Sequence, residues 1–139
     1  VQGLEGALRT SVHEIEKRIQ SHNHPELEVL MLMLRRHEKD FMLRGDTAYI
    51  AKLRETSDQF ERRIGLTQLP DAERAVLTRL LADYTRDFLA WSSAAQSLAK
   101  TRTELSSMSQ VLEKDVDSAR KIFADLGEDA KAAWNKATN

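Results

Sequence analysis

Apolar residues recur at helical spacing along nearly the whole chain. In a first segment, about residues 3–20, Leu4, Leu8, Val12, Ile15 and Ile19 return every three or four positions and form one stripe. The stripe ends in Ser21-His22-Asn23-His24-Pro25. There Asn23 or His24 can cap a helix and Pro25 can take the first position of the next. A second segment over 25–44 stops at Gly45, a natural left-handed cap. Asp46 or Thr47 opens a third, 47–64, whose Ile50, Leu53, Ser57, Phe60 and Ile64 form a seam for packing between helices. Gly65 is expected to close it, and Leu69-Pro70-Asp71 opens the last.

From Asp71 to Leu126 the sequence has neither Gly nor Pro, about 56 residues that reach roughly 84 Å as one helix. Leu77, Tyr84, Trp91, Leu98, Leu105, Leu112, Ala119 and Leu126 fall one heptad apart. The companion position reads Leu81, Phe88, Ala95, Arg102, Ser109, Val116 and Phe123. A sustained seven-residue repeat implies a left-handed bundle or coiled coil. From Gly127 the alanine-rich end reads as a short separate helix carrying Trp134. The fold expected is all-α, an up-down four-helix bundle with one very long C-terminal helix, as a single domain over 1–139. Three segments of about 20 residues can flank only half of a helix more than twice that length. Either the last helix breaks near Ser92-Ser93 or Arg102, or residues 100–126 pack on a second copy or on sequence lying outside these residues.

Composition narrows the function classes. Five Gly and two Pro cannot supply the regular turns of an all-β fold. With 21 Lys+Arg against 22 Asp+Glu, the net charge is −1. Such a balance does not suit a nucleic-acid binder, which relies on cationic surface. No cysteine is present, so thiol catalysis, thiolate metal sites and disulfides fall away. The longest apolar run, Val29 to Leu34, is far below the ~20 residues of a membrane span. The chain opens on Val with no apolar leader behind it and reads as a piece of something longer.

Chemistry concentrates in Arg35-Arg36-His37-Glu38-Lys39-Asp40, set between Met31-Leu32-Met33-Leu34 and Phe41-Met42-Leu43. Helical spacing aligns Arg35 and Glu38 with Met31, Leu34, Phe41 and Met42, so part of this charge points inward. One reading is a solvated band in which Arg35 pairs with Glu38, and Arg36 with Asp40. The other is an inward guanidinium, joined by Arg44 or Arg86, that grips an anionic ligand with its fixed fork. Candidate ligand-binding residues are therefore Arg35, Arg36, Glu38, Arg44 and Arg86, with no cofactor expected. His13, His22, His24 and His37 lack metal-site spacing. Glu14 and Glu16 fall on different helix faces, and no convergence of acid and base is visible, so this domain is not expected to be an enzyme. Tyr84, Phe88 and Trp91 share a stripe suited to core packing, with Arg86 and Asp87 directed to solvent.

Gly3-Leu4-Glu5-Gly6-Ala7-Leu8-Arg9, then Val12-His13-Glu14-Ile15-Glu16, then Leu34-Arg35-Arg36-His37-Glu38-Lys39-Asp40-Phe41-Met42-Leu43-Arg44 and Tyr49 form an ordered series. With Tyr84 and Phe88 it resembles the extracytoplasmic helical sensor domains of bacterial methyl-accepting chemotaxis receptors and sensor histidine kinases, of the helical bimodular or four-helix-bundle type. The resemblance spans roughly residues 3 to 123. It implies an inner-membrane receptor with this part in the periplasm, membrane helices outside these residues, a homodimer, and a small organic anion or amine as ligand. The alternative is a helical interaction module without a small ligand.

Overall fold

The computed structural model describes residues 2–138, with the side chain of Gln2 outside the description. The chain is all-α. Four helices follow in order: α1 (Gln2–His22), α2 (Pro25–Arg44), α3 (Ala48–Leu66) and α4 (Asp71–Thr138). No strand occurs among the described residues. The described chain divides into two compact units, a packed one up to Ser97 and a second from Leu98.

The joints follow local chemistry. His24 is the N-cap of α2 with Pro25 behind it, yet no side chain caps the helix. The turn is made instead by Asn23, which adopts a left-handed backbone with φ of 51°, tolerated because Asn is short and polar. Gly45 ends α2 with φ of 66°, and its N–H donates to the Phe41 carbonyl at 2.8 Å, the expected left-handed cap. At α3 the Asp46 carboxylate accepts from the Ala48 N–H at 2.9 Å, while Thr47 takes the N-cap position. Gly65 does not close α3. The helix runs through it to Leu66 and ends where the Thr67 N–H and hydroxyl both donate to the Ile64 carbonyl. A hydroxyl that folds back on the last turn satisfies the same orphan carbonyl a glycine cap would serve.

The stripes read from the sequence become the core of the first unit. Leu8, Val12, Ile15 and Ile19 of α1 meet Leu27, Met31, Leu34 and Phe41 of α2, Leu53, Phe60 and Ile64 of α3, and Leu77, Leu81, Tyr84 and Phe88 of α4. Met42, expected among them, is exposed, because the inward row of α2 steps from Leu34 through Glu38 to Phe41. The rings of Phe41 and Phe88, and of Phe41 and Trp91, meet edge to face with centroids 5.8 Å apart, a favoured aromatic geometry.

α4 breaks neither at Ser92-Ser93 nor at Arg102, and Gly127 does not separate a last short helix: the helix is continuous to Thr138. A lone glycine weakens a helix by only about 1 kcal/mol, too little to end one flanked by alanine, lysine and glutamate. In the second unit every described residue is exposed, including Leu105, Leu112, Val116 and Phe123.

The two glycines predict opposite outcomes. Gly45→Ala forces a Cβ into the left-handed region and lowers the unfolding free energy by about 1–2 kcal/mol, measured by urea denaturation. At Gly127 an added Cβ meets open space, so Gly127→Ala stabilises the local helix by about 1 kcal/mol, read as slower amide exchange around residue 127.

Candidate functional site

The charged run on α2 is divided between two neighbouring helices. Glu38 sits in the inward row of α2, and its Oε1 accepts the hydroxyl of Tyr84 on α4 at 2.6 Å. Tyr84 is fully buried. Burial first, and the Glu38 carboxylate second, push its phenol far above the ordinary range, since both oppose a phenolate there. One turn away, Arg35 does not pair with Glu38 along its own helix. Its Nη1 donates to Glu16 Oε1 of α1 at 3.0 Å, while its Nε is buried without a partner. The expected intrahelical pairs Arg35–Glu38 and Arg36–Asp40 are thus replaced, for Arg35 and Glu38, by bonds that bind α2 to α1 and α4. Partners on other helices win because they also satisfy groups that packing has withdrawn from water.

Beside the Arg35–Glu16 pair lies a cleft of about 310 Å³ between α1 and α2, lined by Glu16, Ile19, Gln20, Glu28, Met31, Leu32 and Arg35. Its volume is at the lower end of small-molecule sites. Arg35 and Arg36 also share a shallow groove with Leu32, Lys39, Asp40 and Leu43. The remaining candidates stand elsewhere. Arg44 donates to the Tyr49 hydroxyl at 3.2 Å and lies over that ring. Arg86 is exposed beside Asp83 and Asp87 of its own helix. Asp87, expected in solvent, is largely covered. The five candidates therefore do not form one anion clamp: Arg35 and Arg36 share a groove, and Glu38, Arg44 and Arg86 serve other contacts.

Of the cleft residues, Gln20 and Glu28 were not singled out by pattern, and Glu16 only as a carboxylate on a different helix face from Glu14. Glu16 and Gln20 are one turn apart on α1, next to the Ile15–Ile19 stripe, and that spacing was the available signal. A second buried-side link, Arg18 Nη1 to both carboxylate oxygens of Glu73 at 3.0 and 2.9 Å, ties α1 to the start of α4. His37 has its pKa lowered, by burial first and then by Lys52. Among the described residues no group of His, Asp and Glu is placed to hold a metal ion, and no helix is long and apolar enough to cross a membrane.

Tyr84 makes the site testable through pH. A phenol whose pKa is raised on folding contributes stability that is complete below the unfolded value of 10.0 and is lost as pH climbs beyond it. Stability should hold at neutral pH and fall above about pH 10, and Tyr84→Phe should flatten that alkaline limb. At pH 7 the same change removes a hydrogen bond to a carboxylate and lowers stability by about 1.5–3 kcal/mol, measured by urea unfolding. His37 acts at the other end. Its lowered pKa means stability present above the ordinary value of 6.5 and eroded as pH falls below it, an acid limb that His37→Gln should reduce.

No protein-family model, curated protein or solved structure matches this chain.

Proposed function

We propose that the first unit is an up-down four-helix bundle acting as the periplasmic sensor domain of a bacterial transmembrane receptor, a sensor histidine kinase or a methyl-accepting chemotaxis receptor. The contacts support the bundle direction. Glu5 meets Trp91 and Arg18 meets Glu73, so α1 and α4 run oppositely. Glu38 meets Tyr84 and Phe41 meets Phe88, so α2 runs with α4. Arg63 of α3 pairs with Glu26 of α2 while Tyr49 meets Arg44, so α3 runs against α2. The single observation that carries the sensing role is the cleft at Arg35, which opens between two helices beside a packed core that α4 shares. A ligand wedged between α1 and α2 changes the packing on Tyr84 and Phe88, and a packed helix answers with a small slide or rotation.

The cleft also bears on ligand class. Glu16 already neutralises Arg35, and Glu28 adds a second carboxylate. A simple organic anion must displace Glu16 from the guanidinium, whereas a ligand carrying both an amine and a carboxylate can pair with both.

Calorimetry on the 139-residue chain with small organic acids, amines and amino acids tests this. Arg35→Ala should weaken binding by about 1.5–3 kcal/mol, the worth of a charged hydrogen bond; unchanged affinity would remove Arg35 from the site. A second reading, a helical interaction module without a ligand, is favoured by the exposed apolar residues beyond Ser97. Thermal shift separates the two: ligand at 100 times its dissociation constant adds about 2.7 kcal/mol of stability, while an interaction module responds to no member of the set.

A further inference from the structure

We infer that the cleft between α1 and α2 takes a short extended peptide of about three residues, with its carboxylate on Arg35 and its amine on Glu28. The inference rests on the sensing cleft proposed above and names the kind of zwitterion that fits it. An amino acid carries both charges on one carbon, whereas this cleft sets its two charged ends well apart.

Charge is laid out along the cleft and not gathered at one point. Arg35 closes one end, where Glu16 already holds its Nη1 at 3.0 Å. Glu28 lines the same cleft and precedes Arg35 by two helical turns on α2, about 10 Å along the axis. Among the described residues Glu28 makes no ion pair, so it is the carboxylate left to receive a cation. Because α1 runs against α2 and Glu16 stands level with Arg35, Gln20, one turn further along α1, falls between the two ends. Ile19, Met31 and Leu32 supply the apolar wall.

Length selects the ligand. An extended chain spans about 3.3–3.6 Å per residue, so three residues bridge about 10 Å. Such a peptide sets its carboxylate against guanidinium donors that Glu16 does not use, since a guanidinium offers several in one fork. Its amine reaches Glu28, and the Gln20 amide offers both a donor and an acceptor to the peptide bonds between. A single amino acid fills the end at Arg35 and Glu16 and leaves Glu28 facing water. A straight ω-amino acid of equal length matches both charges but presents only methylenes to Gln20. The cavity of about 310 Å³, at the low end of small-molecule sites, is in keeping with a ligand this short.

Calorimetry on the full 139-residue chain with alanine, trialanine and 8-aminooctanoate, which has trialanine's length without its amides, tests this. Trialanine should bind about tenfold more tightly than alanine, and N-acetylation of the peptide or Glu28→Gln should each remove about that factor, in line with a hydrogen bond between charged groups. Acetylated trialanine should bind Glu28→Gln and the parent chain alike, because both changes delete the same contact. Gln20→Ala should weaken trialanine and leave 8-aminooctanoate unchanged, and unchanged melting temperatures show that both variants fold. Alanine binding as tightly as trialanine, trialanine indifferent to Glu28→Gln or to Gln20→Ala, or no binding of trialanine while an organic acid or amine binds would each overturn the inference and leave the sensing cleft standing. Binding of no peptide, acid or amine at all would overturn both.

Discussion

The burial of Tyr84 constrains the rest of the first unit. A phenol hydroxyl removed from water requires an acceptor, and Glu38 is the acceptor it has. To reach it, α2 must turn the Glu38 row inward. That rotation carries Leu34 and Phe41 into the core on either side and swings Arg35 toward α1, where Glu16 meets it. The cleft beside Arg35 is therefore a geometric result of satisfying one hydroxyl two helices away. It also explains why six consecutive polar residues can sit in a helix that contributes four buried apolar side chains.

The link matters for any ligand. Arg35 retains a buried Nε with no partner, and the carboxylate that holds its Nη1 belongs to a different helix. A molecule that competes for this guanidinium acts on the junction between α1 and α2, whereas one that competes for Glu38 acts on the junction between α2 and α4. The Glu16 and Glu38 carboxylates thus hold α2 at two separate junctions, one with α1 and one with α4.

Much of this architecture is legible in the residues themselves. The α1 stripe, the Ile50–Ile64 seam and the α4 heptad as far as Phe88 match the helical period and supply most of the core, whereas the heptad positions from Leu98 onward are exposed. Local chemistry was harder to read. Gly45 and Gly65 look alike in sequence, yet only Gly45 takes a left-handed backbone; at Gly65 the decisive group is the hydroxyl of Thr67, two residues on. Gly127 shows the same limit, since a glycine's effect depends on whether anything else ends the helix. The site was legible in part. Inward charge on α2 follows from periodicity, but the choice of Glu16 and Tyr84 over partners on the same helix depends on how neighbouring helices pack, and a single helix's pattern does not contain that.

The seven-residue repeat carries a further geometric consequence. An α-helix turns by 3.6 residues, so on a straight helix a heptad stripe drifts by about 20° with each repeat. Between Leu98 and Leu126 lie four repeats, and the stripe swings through roughly 80° around the helix axis. A flat surface, whether a membrane face or a rigid neighbouring domain, would touch one end of it and lose the other. Only a cover that winds left-handed about the axis stays in contact along its whole length, and any change in that winding is at once a rotation of the helix end.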